Sequence, residues 1–160
     1  MFARRSLAGA LARLLPMKKV LLDSNAYDAL GAWPDLIARV RSLCDRGALE
    51  IIATSTVKSE LERSPLRGIP DWFPVTLDLD GIGVIGHSRI GHARIGRNDI
   101  YDDHRGQSHQ VPDAVIAESA ERYADLFVSD DQRCRARFAK LTRRCLVMGS
   151  LDFMAWVKAQ

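Results

Sequence analysis

The sequence predicts an α/β fold, with a central parallel sheet flanked by helices on both faces. Three observations carry this. The short apolar runs are continuous rather than alternating, as in strands buried on both sides. Stretches with helical spacing separate those runs, and strands that alternate with helices form parallel sheets. The chain has 160 residues, 47% of them hydrophobic, which suits one domain with a substantial core.

The elements follow in order. Val20-Leu21-Leu22 reads as a buried strand that ends in a polar turn, Asp23-Ser24-Asn25. Pro34 to Arg46 places Leu36, Ile37, Val40 and Leu43 at helical spacing, and Gly47 is a stop signal. Leu49 to Ala53 is the second strand. Thr54 or Ser55 caps a helix through Val57 and Leu61 that ends by Pro65. Phe73 to Leu77 reads as a third strand. Val111-Pro112-Asp113 opens a helix, since proline suits a first turn. Leu126 to Ser129 is a strand, followed by Asp130-Asp131, a basic helix, a strand at Cys145 to Met148 and a last helix from Leu151 to Val157.

Residues 78–110 break the pattern. They hold six glycines and all four histidines, and read as a surface loop in which Ile90, Ala93 and Ile95 mark a short helix. Residues 1–16 read as a disordered leader or upstream extension, with Met17 as the natural start and 17–160 as one domain. Leu7, Leu11, Leu14 and Leu15 share one face, so an Arg-rich targeting helix is the competing reading of this leader. Arg13 interrupts the apolar stretch that a secretory signal needs.

Charge alone identifies no partner. The formal net charge is +3, from 23 basic and 20 acidic residues. Arg4, Arg5 and Arg13 lie in the leader, and without them the two counts are equal. No apolar run reaches the roughly 18 residues that a membrane-spanning helix needs. Three cysteines without a CxxC suit reduced thiols in a cytoplasmic protein.

The acids carry the chemistry. Sites in open α/β sheets form beyond the carboxyl ends of the strands. Asp23 follows the first strand, and Asp130 and Asp131 follow the strand ending at Ser129, so all three reach one edge. Asp113 opens the helix that feeds that strand. Glu60 lies on the helix after the second strand; Glu62 is about 200° away around the helix, so only one of the two faces inward. Any one of these acids alone is ordinarily a turn former or helix cap. Several together repel one another, and a divalent cation removes that penalty. All-oxygen donors point to Mg²⁺ or Mn²⁺, and such a site suits hydrolysis of phosphodiesters.

The motifs in this order resemble the PIN-domain family, especially the ribonuclease toxins of VapC type. LLDSN looks like that family's LLDTN start, TSTVKSEL like the helix with its second acid, VPDAVIAESA like its third motif, and LFVSDDQRC like its last. The resemblance covers roughly residues 18–158. It implies a Rossmann-like sheet and a metal-dependent endoribonuclease that acts on RNA through Asp23, Glu60, Asp113 and Asp131. Asp23 and Asp113 would be the main ligands to Mg²⁺ or Mn²⁺. Glu60 and Asp131 would bind a second ion or orient water, with Ser24, Asn25 and Ser129 holding the carboxylates. It also implies a homodimer and a small antitoxin protein as partner. Asp130 beside Asp131 leaves the register of the last acid open by one residue.

Other readings compete. A catalytically inactive domain of the same fold would bind RNA or protein without metal. A phosphatase with an aspartyl nucleophile needs Asp-x-Asp where this chain has Asp23-Ser24-Asn25, and no Gly-rich turn after the first strand supports NAD. His87 and His92, like His104 and His109, are five apart and do not share a helix face, which disfavours zinc. Arg133, Arg135, Arg137, Lys140, Arg143 and Arg144 form a solvated helix face or a phosphate-contacting surface, with Arg89, Arg94, Arg97 and Arg105 as a second wall. Trp33, Trp72 and Trp156 read as packing residues.

Overall fold

A computed structural model describes residues 16–79, 81–82, 93–94 and 111–160. The main sheet has five strands: β1 (Lys18–Leu22), β2 (Leu49–Thr54), β3 (Leu77–Leu79), β6 (Leu126–Val128) and β7 (Leu146–Met148). Their order is β3-β2-β1-β6-β7 and every neighbouring pair is parallel. A separate parallel pair joins β4 (Gly81–Ile82) to β5 (Ala93–Arg94). Val20, Leu21, Leu22, Ile51, Ile52, Phe127 and Val128 are all fully buried. Adjacent residues on a strand point to opposite faces, so both faces are covered.

Helices do the covering. Helix α1 (Ser24–Gly31) turns its buried Ala26, Tyr27 and Leu30 inward. Helix α2 (Pro34–Asp45) buries Leu36, Ile37, Val40 and Leu43, and the chain leaves it through Gly47 at φ +70°, a conformation open to glycine at little steric cost. Helix α3 (Ser55–Arg63) is capped by Thr54, whose Oγ1 accepts from Val57 N at 3.4 Å. Helices α4 (Val111–Tyr123), α5 (Gln132–Leu141) and α6 (Ser150–Ala159) complete the set. Helices α1, α2 and α6 pack on one another, while α4 packs on β1, β6 and α5.

Three expectations need correction. The residues read as a polar turn after β1 begin helix α1 instead, because Asp23 caps it and Ala26, Tyr27 and Leu30 give it an apolar side. The third strand lies at Leu77–Leu79, not Phe73–Leu77. Pro74 has no N–H for a ladder, and Phe73 fills the core by packing edge-on against Tyr27, with ring centroids 5.1 Å apart. Pairing begins at Thr76, whose N donates to Ile51 O at 3.0 Å. Ala93, expected in a short helix, lies in β5. Apart from 78–79, 81–82 and 93–94, the Gly/His-rich segment lies outside the described residues, as does the leader up to residue 15.

The chain runs from β1 to β2 and β3 on one side, then returns to place β6 and β7 on the other. The strand order therefore reverses between β1 and β6, where α/β sheets open a crevice at their carboxyl edge. Among the described residues, no helix is long and apolar enough to cross a membrane.

Candidate metal centre

Asp23 stands at that crevice. It is 3% exposed and caps α1. Its Oδ1 accepts from Ser24 N at 2.8 Å, and its Oδ2 accepts from Asn25 Nδ2 at 3.1 Å and from Ser129 Oγ at 2.6 Å. Burial pushes its carboxyl up from an ordinary 3.8 to about 6; the Ser129 hydrogen bond opposes the rise and the charge of Asp113 adds to it. So the carboxylate is desolvated and beside another acid, and its hydrogen bonds do not fully compensate.

Glu60 reaches the same place from α3. It is half-buried while Glu62 is exposed, which picks the inward acid as the helical angle requires. Its carboxyl is pushed up to about 7, first by burial; a hydrogen bond from Ser24 opposes this, and the charges of Asp23 and Asp113 add to it. Asp113, in the first turn of α4, therefore acts on both. Three acids, from the end of β1 and from α3 and α4, form one electrostatic cluster.

Asp131 enters through a different set of contacts. It caps α5, with Oδ1 accepting from Arg133 N at 2.7 Å and Cys134 N at 3.1 Å. Its own N–H donates to Ser129 Oγ at 3.2 Å. Ser129, fully buried, thus links Asp23 to Asp131 through one hydroxyl. The buried Cys134 thiol is pushed up to about 12, first by burial, then by the charges of Asp23, Asp113 and Asp131. One side chain thus feels three of the four expected acids. Sequence reasoning gave Cys134 no place here, although Asp-x-x-Cys puts it in the turn that Asp131 caps.

Asp130 faces elsewhere. Its Oδ1 accepts from Ser150 N at 2.8 Å and its Oδ2 from Ser150 Oγ at 2.7 Å, so its carboxylate caps the start of α6. Asp130 thus turns both carboxylate oxygens toward Ser150.

The basic stretch divides. Arg133 lies exposed at the carboxyl edge, and Arg135 Nη1 donates to Ser129 O at 2.6 Å. Arg143 and Arg144 precede β7 and so lie at the opposite edge, where Arg144 donates to Arg122 O and Ala124 O at 3.3 and 3.4 Å. Lys140 sits in the last turn of α5, also away from the acids. A single phosphate-contacting surface across all six is therefore corrected: sequence proximity hid a helix and a reversal of direction. The side chains of the second proposed wall and the four histidines lie outside the described residues.

Comparison with protein-family models, curated proteins and solved structures gave no match.

The donors fit a hard cation in character. Asp23, Glu60, Asp113 and Asp131 offer only carboxylate oxygen, and the repulsion of Asp23 and Glu60 by their acidic neighbours is the penalty a cation relieves. Among the described residues, no three His, Cys, Asp or Glu side chains stand grouped closely enough to hold a metal ion by themselves.

Proposed function

We propose that the protein is a Mg²⁺- or Mn²⁺-dependent endoribonuclease of PIN type. The observation that carries the reading is the meeting of Asp23, Glu60 and Asp113 at the β1–β6 switch point, with two carboxyls pushed up to about 6 and 7. The order of the four sequence motifs supports it independently. Buried acids with raised pKa values at a sheet's carboxyl edge are expected where function needs them, since stability does not.

Asp23 and Asp113 would hold the cation, with Glu60 and Asp131 as further ligands or as acceptors that orient water. A bound divalent ion would supply Lewis acidity toward the phosphate and lower the pKa of a bound water. Ser129, Asn25 and Ser24 fix the carboxylates by hydrogen bonds. Arg133 stands where it can meet an RNA phosphate. The resemblance to VapC-type toxins extends the proposal to a cytoplasmic homodimer held in check by a small antitoxin protein; the motifs alone support that part.

A second reading keeps the fold without catalysis, as an RNA- or protein-binding domain. The absence of a ready metal-holding group among the described residues favours it. Total RNA incubated with the protein and Mn²⁺, with EDTA and Asp113→Asn as controls, separates the two. The proposal expects discrete new ends that both controls abolish; intact RNA under all conditions supports the second reading.

A further inference from the structure

We infer that Asp130, which supplies no carboxylate to the acid cluster, is a positioning residue that ties the site to the last helix. The inference rests on the metal-binding reading above and goes beyond it. The residue lies between Ser129 and Asp131, the two residues that link Asp23 to α5. Three hydrogen bonds hold it from two sides. Its carboxylate takes both the N–H and the hydroxyl of Ser150, at 2.8 and 2.7 Å. Its own N–H donates to Asn25 Oδ1 at 3.0 Å, and Asn25 Nδ2 in turn donates to Asp23 Oδ2 at 3.1 Å.

The surroundings leave this turn little freedom. Arg135 Nη1 holds Ser129 O at 2.6 Å. Gly149, which precedes α6, lies so close that an added Cβ would stand 3.3 Å from Arg135 Nη1 and 3.4 Å from Asp130 Oδ1. At its other end α6 is held by Arg39, which donates to Val157 O at 3.0 Å and Lys158 O at 3.3 Å. The last helix is thus fastened at both ends, and its first turn is fastened to the residue between Ser129 and Asp131. Charge-assisted bonds to a helix start are among the stronger ones available. Releasing the Asp130 carboxylate frees the 129–131 turn, and with it the Ser129 hydroxyl that orients Asp23.

The test is the Mn²⁺ dissociation constant, measured by calorimetry on the full chain, with circular dichroism to confirm folding. Asp130→Ala is expected to weaken Mn²⁺ binding about 10-fold, the lower range for loss of an outer hydrogen-bonding partner. Asp130→Asn keeps an acceptor for Ser150 N and is expected to retain most of the affinity. Ser150→Ala is expected to give a smaller loss than Asp130→Ala, and the double variant Asp130→Ala/Ser150→Ala to be no worse than Asp130→Ala alone. Unchanged affinity in Asp130→Ala overturns the inference. So does a loss in Asp130→Asn as large as that in Asp23→Asn with Ser150→Ala unaffected, because Asp130 would then be a ligand. Absence of Mn²⁺ binding in the unmodified protein overturns the metal-binding reading itself, and is distinguishable from both. If Asp130→Ala does not fold, the comparison of Asp130→Asn, Ser150→Ala and Asp23→Asn decides.

Discussion

Ser129 Oγ donates to Asp23 Oδ2 at 2.6 Å across 106 residues of sequence, joining the ends of β1 and β6. The same oxygen accepts from Asp131 N at 3.2 Å. A hydroxyl both donates and accepts, so one side chain satisfies a buried carboxylate and sets the turn into α5.

Ser129→Ala is therefore expected to push the Asp23 carboxyl further up and to weaken Mn²⁺ binding about 10- to 100-fold, the range for lost outer-sphere partners. Ser129→Thr keeps the hydroxyl and is expected to restore most of the affinity. Calorimetric titration of the two variants checks this; equal affinity in Ser129→Ala and the unmodified protein would show that Ser129 does not support metal binding.

The raised carboxyls make metal-free stability depend on pH. In the folded protein Asp23 titrates at about 6 against 3.8, and Glu60 at about 7 against 4.5. Between the two sets of values the folded state holds more protons, so stability falls as pH rises. The stabilisation is fully present below pH 3.8 and is lost as pH climbs through about 6 to 7. Melting of the metal-free protein is expected at a lower temperature at pH 8 than at pH 5.5, with Mn²⁺ reversing the loss at pH 8. Asp23→Asn should flatten the metal-free profile. A profile that rises from pH 5.5 to pH 8 and is unchanged in Asp23→Asn would contradict the shifts.

Asp113→Asn separates stability from function. Removing its charge relieves repulsion on Asp23 and Glu60, so the metal-free variant should melt higher at pH 8, by about 2–4 °C for each kcal/mol of relief in a domain of this size. Its Mn²⁺ affinity should collapse. Such a trade is expected at sites held strained for function. A variant that melts lower and binds Mn²⁺ normally would assign Asp113 to the fold alone.

Tyr27 offers a test away from the acids. It is fully buried and its hydroxyl has no hydrogen-bond partner among the described residues. Burying an unpaired hydroxyl is costly, so Tyr27→Phe should stabilise the protein by about 1 kcal/mol. Urea unfolding measures it; a loss of similar size would reveal a partner for the hydroxyl.

Much of the fold was legible because strand burial and helix period are local signals. The runs at Val20–Leu22 and Leu126–Val128 lack polar residues because the sheet is covered on both sides. Helix α1 is hidden in the sequence because its cap, Asp23, is also a candidate ligand, and its apolar side is only Ala26, Tyr27 and Leu30. Phe73 misled because ring packing against Tyr27 looks, in sequence, like strand apolarity. Of the site, the choice of Glu60 over Glu62 followed from helical angle together with Thr56 and Val57 one turn earlier. The choice between Asp130 and Asp131 did not, since it depends on Ser150, twenty residues later and beyond another strand. The division of the arginines was hidden for the same reason: sequence proximity does not show which edge of the sheet a residue reaches.

The most direct measurement is a calorimetric titration of Mn²⁺ into the unmodified protein and Asp23→Asn at pH 7.5. Saturable binding is expected in the unmodified protein, with loss of that binding in Asp23→Asn. No binding to the unmodified protein, or binding that Asp23→Asn leaves intact, would contradict the metal-binding reading.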